Sequence, residues 1–151
     1  MGNTNTKEAV SEFIRNNLRG KPDPDAIPRM CRMLLVDKSI TNIDVKDSDY
    51  TDWTALHYQA GWGTTGIVAW LLTQDPPAYI DVLGPGQWTP LIAAAYSGID
   101  SEGKVRLLIE YGANRDLEDV DGRTALRYAR SINKPAAVID LLVNYRPDVS
   151  R

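Results

Sequence analysis

Three threonines set the beat of this chain. Thr54, Thr89 and Thr124 stand 35 positions apart, and each has a leucine two positions on: Leu56, Leu91 and Leu126. Leucine pairs keep the same time, with Leu71-Leu72, Leu107-Leu108 and Leu141-Leu142 beginning 17, 18 and 17 positions after their threonine. The connectors repeat too, as Ile43-Asp44-Val45, Ile80-Asp81-Val82 and Arg115-Asp116-Leu117. A fixed period of this size constrains the fold more than any local propensity. One unit of about 35 residues is too small to bury its own apolar faces and must lean on its neighbours.

The middle unit, from Gln87 to Glu110, spells out its structure most clearly. Thr89 can cap a helix through its hydroxyl, and Pro90 suits the first helical position because it has no N–H to leave unpaired. The small-residue helix that follows, through Ile92 and Tyr96, carries Ala93, Ala94 and Ala95, whose lack of bulk lets another helix come close. Gly98 is expected to let the chain leave the helix where a β-carbon would clash. A second apolar stripe, Val105, Leu107, Leu108 and Ile109, completes a helix–turn–helix hairpin.

These residues resemble the ankyrin-repeat family, whose unit reads Gly-x-Thr-Pro-Leu-His, an alanine pair, Gly, a leucine pair, then Gly-Ala-Asp. Asp52 to His57, Ala94-Ala95, Gly98, Leu107-Leu108, Gly112-Ala113-Asn114 and Gly122 to Leu126 carry the match over roughly residues 48 to 145. The departures are local. Ile92 and Arg127 stand where the family has its His, one extra residue lies between Ile99 and Lys104, and Asp75 to Tyr79 replaces a Gly-Ala-Asp ending. The resemblance implies an all-α fold: a solenoid of stacked helix pairs joined by β-hairpin-like fingers. It places one domain over 1–151, with repeats at about 50–83, 84–118 and 119–149 and a degenerate first repeat at about 6–47. In that first unit, residues 6 to 19 read as an amphipathic helix and Asp25 to Asp37 as its partner, in a capping role. Arg127, Arg130 and Lys134 suggest a solvated cap at the other end.

Net charge and cysteine count narrow the setting. A net charge of −3 gives nonspecific nucleic-acid binding no electrostatic support. The single cysteine, Cys31, has no partner for an internal disulfide, and no apolar run reaches the eighteen or so residues of a membrane span, which together point to a reducing cytoplasmic setting. Met1-Gly2-Asn3-Thr4-Asn5-Thr6 fits the acylation pattern in which Gly2 is myristoylated. Membrane contact is expected only through that lipid, and a single acyl chain anchors marginally.

Motifs for chemistry fall short. Gly98 to Lys104 matches a phosphate loop until its last position, where Val105 replaces the Ser or Thr that would hold magnesium, and a helix rather than a strand precedes it. Asp116 to Gly122 resembles a calcium loop, but with Gly122 sixth the first ligand would be Leu117. His57 is the only histidine, so neither a zinc site nor a Cys–His dyad can be assembled, and the resemblance makes it a structural residue. No catalytic residue, cofactor or metal is expected.

Aromatic placement stands out instead. Trp53 and Trp88 occupy one repeat position, immediately ahead of the helix-start threonine, and Arg123 is its third occupant. By the resemblance, this position lies beside the finger on the concave face, as do Trp62 and Tyr96 at the ends of their helices, with Tyr50 at a fingertip. Trp70 and Tyr79 read as packing residues of the second helix and its exit. Trp, Tyr and Arg dominate interface hot spots. Tyr50, Trp53, Trp62, Trp88, Tyr96 and Arg123 therefore form a candidate protein-docking stripe, although Trp53 and Trp88 could equally stiffen the fingers by stacking on each other. Acidic fingers with Asp47, Asp49, Asp52, Asp119 and Asp121 would steer a partner with a basic rim. The function expected is a monomeric, non-enzymatic protein-binding module. A myristoylated scaffold and an inhibitor of a partner enzyme, as some small ankyrin proteins are, stand as alternatives.

Overall fold

The computed structural model describes residues 44, 46, 52–75 and 77–148. The expectations placed on the first 43 residues, including Gly2 and the degenerate repeat, and on Tyr50, Asp47 and Asp49, lie outside them.

Among the described residues, six α-helices fall in three pairs: α1 (Ala55–Trp62) with α2 (Thr65–Leu72), α3 (Pro90–Tyr96) with α4 (Ser101–Glu110), and α5 (Ala125–Ser131) with α6 (Ala136–Val143). No strand forms among the described residues. The first helices stack as one row, α1 on α3 on α5, and the second helices as another, α2 on α4 on α6. The all-α solenoid expected from the 35-residue beat is the architecture observed.

Each first helix begins at its threonine. The side chains of Thr54, Thr89 and Thr124 accept from the backbone N–H of His57, Ile92 and Arg127. Such a cap satisfies one of the donors that a helix start leaves unpaired. The core runs down the interior between the two rows. Leu56, Leu91 and Ala125 from the first helices meet Val68, Leu71, Val105, Leu108 and Leu141 from the second, all nearly free of solvent contact. The alanines of α3 are fully buried, and Ala93 faces Gly61 of α1 so closely that a Cβ there would lie 3.9 Å from that of Ala93.

Between pairs, aspartates stitch the connectors together. Asp44 Oδ1 accepts from Tyr79 N–H at 2.9 Å, and Asp81 Oδ1 accepts from Asn114 N–H at 3.0 Å. Arg115, where the earlier connectors have isoleucine, donates through Nη1 to the carbonyls of Leu141, Leu142 and Tyr145 and so closes the end of α6.

The backbone two residues before each capping threonine is left-handed in all three repeats: Asp52 at φ 57°, Gln87 at 59° and Gly122 at 71°. Only Gly122 bears this without the clash that an L-residue meets there. Gln87→Gly is therefore expected to raise stability by about 0.5–1 kcal/mol, measured as the shift in urea-unfolding midpoint; a lower midpoint would contradict it.

Several expectations need correction. A Cβ at Gly98 would meet nothing within 4 Å, and the left-handed residue of that turn is Asp100, at φ 42°. The glycine is thus not needed to leave the helix, since α3 has already ended at Tyr96. Tyr79 is not a packing residue: its side chain is exposed, while Ala78 beside it fills the buried place that Ala113 fills one repeat later. Lys134 is more than a solvated cap residue, because its Nζ donates to the Ser97 carbonyl.

Candidate functional site

The fingers before Thr54, Thr89 and Thr124 and the C-terminal ends of α1 and α3 share one side of the stack, and an aromatic chain runs along it. Trp53 lies between Trp62, with ring centroids 5.0 Å apart and planes at 30°, and Trp88, at 6.2 Å and 22°. Trp88 meets Tyr128 edge-on at 5.0 Å and Tyr96 at 5.7 Å. The Arg123 guanidinium sits over the Tyr128 ring at 5.8 Å. The structure thus gathers Trp53, Trp62, Trp88, Tyr96 and Arg123 on one side.

The rings divide into two kinds. Trp53 and Trp88 are partly buried and stacked on each other across their fingers. Trp62 and Tyr96, the last residues of α1 and α3, remain 52% and 50% exposed. Between them a recess of about 120 Å³ opens, with Trp53 and Trp88 as walls and Gly61 and Ala93 at its base.

This recess has a cause that can be read from the repeat. Tyr58, Ala93 and Tyr128 occupy the same position, four residues after their threonines. The flanking tyrosines fill their space against Trp53 and Trp88 respectively, at 5.4 and 5.0 Å. Ala93 leaves its own open. The pattern lay in the sequence as a Tyr–Ala–Tyr alternation, but Tyr128 draws notice only once its ring is seen to end the aromatic chain.

His57 holds two repeats together from below. Its Nδ1 lies 2.9 Å from Thr54 Oγ1 and its Nε2 lies 2.8 Å from the Trp88 carbonyl. A carbonyl can only accept, so Nε2 carries the hydrogen and Nδ1 takes the bonds from Thr54. Burial pushes the His57 pKa down, the bonds to backbone carbonyls of Trp88 and Val82 work against that, and Lys46 adds to it. The finger passes so close that a Cβ on Gly84 would lie 2.9 Å from Trp53 Cδ1 and 3.2 Å from His57 Nε2. Only glycine fits there without a shift.

Of the acidic finger residues described, Asp119 does not face solvent. Asp119 is buried: its Oδ1 accepts from the Asp121 and Arg123 N–H groups, and its Oδ2 accepts from the Tyr128 hydroxyl. Burial pushes the Asp119 pKa up, yet the bond from Tyr128 and the backbone N–H bonds outweigh it, and the net direction is down. This carboxylate is an internal brace of its finger, and the calcium-like spelling around it serves a turn. Asp52 pairs with Lys46 at 3.6 Å, and Asp121 stays exposed.

Lys104 is the residue that sequence reasoning passed over, having weighed it only as the lysine of an incomplete phosphate loop. Counted back from the leucine pairs, it takes the place of Val68 and Val138, and like them it is buried, with no exposure at all. Its Nζ donates to the Gly63 carbonyl at 3.2 Å and to Ser97 Oγ at 2.9 Å, tying the turn after α1 to the turn after α3. Burial lowers its pKa to about 8, with Asp100 opposing and Lys134 reinforcing the shift. The signal available was a charged residue in an apolar slot of the repeat.

Among the described residues, no helix is long and apolar enough to cross a membrane. A model of ankyrin repeats (3 copies) matches residues 76–151, just over half of the chain. None of the curated proteins compared matches it. The model match begins after α2, but α1 and α2 stack on α3 and α4 as those do on the pair that follows. Ankyrin repeats are generally protein–protein interaction modules and typically carry no catalysis. Matched sequence, helix pairs and threonine-capped starts agree, and the chain belongs to the ankyrin-repeat family.

Proposed function

We propose that this chain is a non-enzymatic protein-binding module whose partner docks along the aromatic stripe, with Trp62 and Tyr96 as its anchors. The observation that carries this reading is that both rings stay about half exposed beside a recess, although apolar neighbours are within reach. Large rigid rings at the edge of a pocket give contact area at small entropic cost and are typical binding hot spots. Trp53 and Trp88 shape the recess from behind, and Arg123, exposed over Tyr128, extends the surface toward the third finger. Asp121 contributes negative charge at that finger, which favours a partner with Lys or Arg at its rim through faster association. Asp119 takes no part, being used inside.

Trp62→Ala and Tyr96→Ala separate binding from folding better than changes at Trp53 or Trp88, whose stacking holds the fingers. Each is expected to weaken binding at least about tenfold while changing unfolding free energy by no more than about 1 kcal/mol. The measurement is calorimetric titration of a partner captured from the native source and identified by mass spectrometry, alongside urea unfolding. Unchanged affinity in both variants would remove the proposal.

A further inference from the structure

We infer that the recess between Trp62 and Tyr96 takes a methylated ammonium group, as on a lysine side chain methylated at its amine and presented by the partner protein. The inference rests on the reading of the stripe as a docking surface and adds the chemistry of what enters it. Trp62, Trp88 and Tyr96 line the recess together with Trp53, whose own faces stack on Trp62 and Trp88, and the Trp88 and Tyr96 planes meet at 70°, giving two walls at a steep angle. Aromatic faces attract cations through their quadrupoles, and a ring of several such faces is the arrangement that binds methylated ammonium groups. At about 120 Å³ the recess suits a head group and excludes a large side chain.

Hydrogen bonding selects the methylated form. No carboxylate lines the recess. Backbone carbonyls at the ends of helices favour cations, and the chain's own lysines already use two beside the recess: Lys104 Nζ bonds Gly63 O and Lys134 Nζ bonds Ser97 O, while Lys104 Nζ also takes the Ser97 hydroxyl oxygen. An unmodified ammonium has three N–H groups and would lose its hydration for few acceptors. A trimethylammonium keeps the charge and asks for none. The Lys104 charge behind Ser97 works against any cation, so the rings must supply the attraction.

The test is a titration of the full-length protein followed through its tryptophan indole N–H signals by nuclear magnetic resonance. Three probes are compared: acetyl-trimethyl-lysine methylamide, the same compound with a tert-butyl group in place of trimethylammonium, and acetyl-lysine methylamide with a free amine. The trimethyl probe is expected to shift the signals of Trp62 and Trp88 saturably and to bind about tenfold more tightly than either control. Equal binding of the neutral tert-butyl probe would overturn the inference, because the recess would then be merely apolar. Equal binding of the free amine, or no saturable shift with any probe, would overturn it too. Trp62→Ala and Tyr96→Ala, each checked for an unchanged fold by circular dichroism, are expected to abolish the shift, and its survival in both would misplace the site. A protein partner that still requires Trp62 and Tyr96, with no preference among the probes, would overturn this inference and leave the docking surface standing.

Discussion

His57→Ala is expected to destabilise the domain by about 3 kcal/mol, since it opens a cavity and strands buried polar groups at the same time. The side chain is fully buried, and its two nitrogens join the Thr54 cap of one repeat to the Trp88 carbonyl of the next finger. Alanine leaves that carbonyl with only the Gly84 N–H, takes the acceptor from the buried Thr54 N–H, and removes the ring on which Trp53 stacks at 5.8 Å. The neighbours show that the position can be filled otherwise: Ile92 is buried in the next repeat, and Arg127 is exposed in the last, with no further finger beside it among the described residues. Acid should act through the same residue. Its folded-state pKa lies below the unfolded value, so between the two the unfolded chain binds more protons, and stability falls as pH drops below about 6.5. Urea unfolding of the wild type between pH 7 and pH 5.5 should show this loss, and the His57→Ala variant should lack that component. An alanine variant with an unchanged midpoint at pH 7 would refute the bridging role.

Lys104→Met is expected to remove a rise in stability that the wild-type domain shows on going from pH 7 to pH 9.5, of about 2 kcal/mol. The folded-state pKa is lowered to about 8 by burial, against an ordinary value of 10.5. Between those two values the unfolded chain holds more protons than the folded one, so stability climbs with pH through that window and is flat below it. Tyr128 and Tyr145 have raised pKa values and act in the opposite sense above pH 10, which is why the comparison stops at 9.5. Methionine has similar volume and no charge to desolvate. At pH 7 the variant should be at least as stable as the wild type, as is common when a buried charge gives way to an apolar side chain of similar size. Equal slopes in wild type and variant would show that Lys104 does not titrate in this range. A large loss at pH 7 would instead show that its bonds to Gly63 and Ser97 outweigh the cost of burying it.

Much of the fold was legible because a solenoid repeats its reasons. Thr54, Thr89 and Thr124 each announce a helix start, and the leucine pairs 17 or 18 positions on announce the second helix. Even the extra residue between Ile99 and Lys104 was visible as a slipped beat. The candidate stripe was half legible. Repeat register put Trp53, Trp88 and Arg123 in one row, but it could not tell stacked rings from exposed ones, because exposure depends on what the adjacent repeat offers. Trp62 and Tyr96 proved more exposed than Trp53 and Trp88. Asp119 was misjudged for a similar reason: it looks like Asp121 in sequence, yet the Tyr128 hydroxyl, nine residues on, bonds it in a buried place.

The sequence by itself determined the unit, its caps, its apolar faces and the need to stack, because each follows from residues within about 35 positions of one another and from the rule that a lone hairpin cannot shield its oily side. Only the tertiary structure decided which groups meet between units. The close approach of Gly61 to Ala93, the reach of Lys104 to Gly63 and the hold of His57 on Trp88 all cross from one repeat to the next. Burial and the energies that come with it are properties of such contacts, and no periodicity along a single chain encodes them.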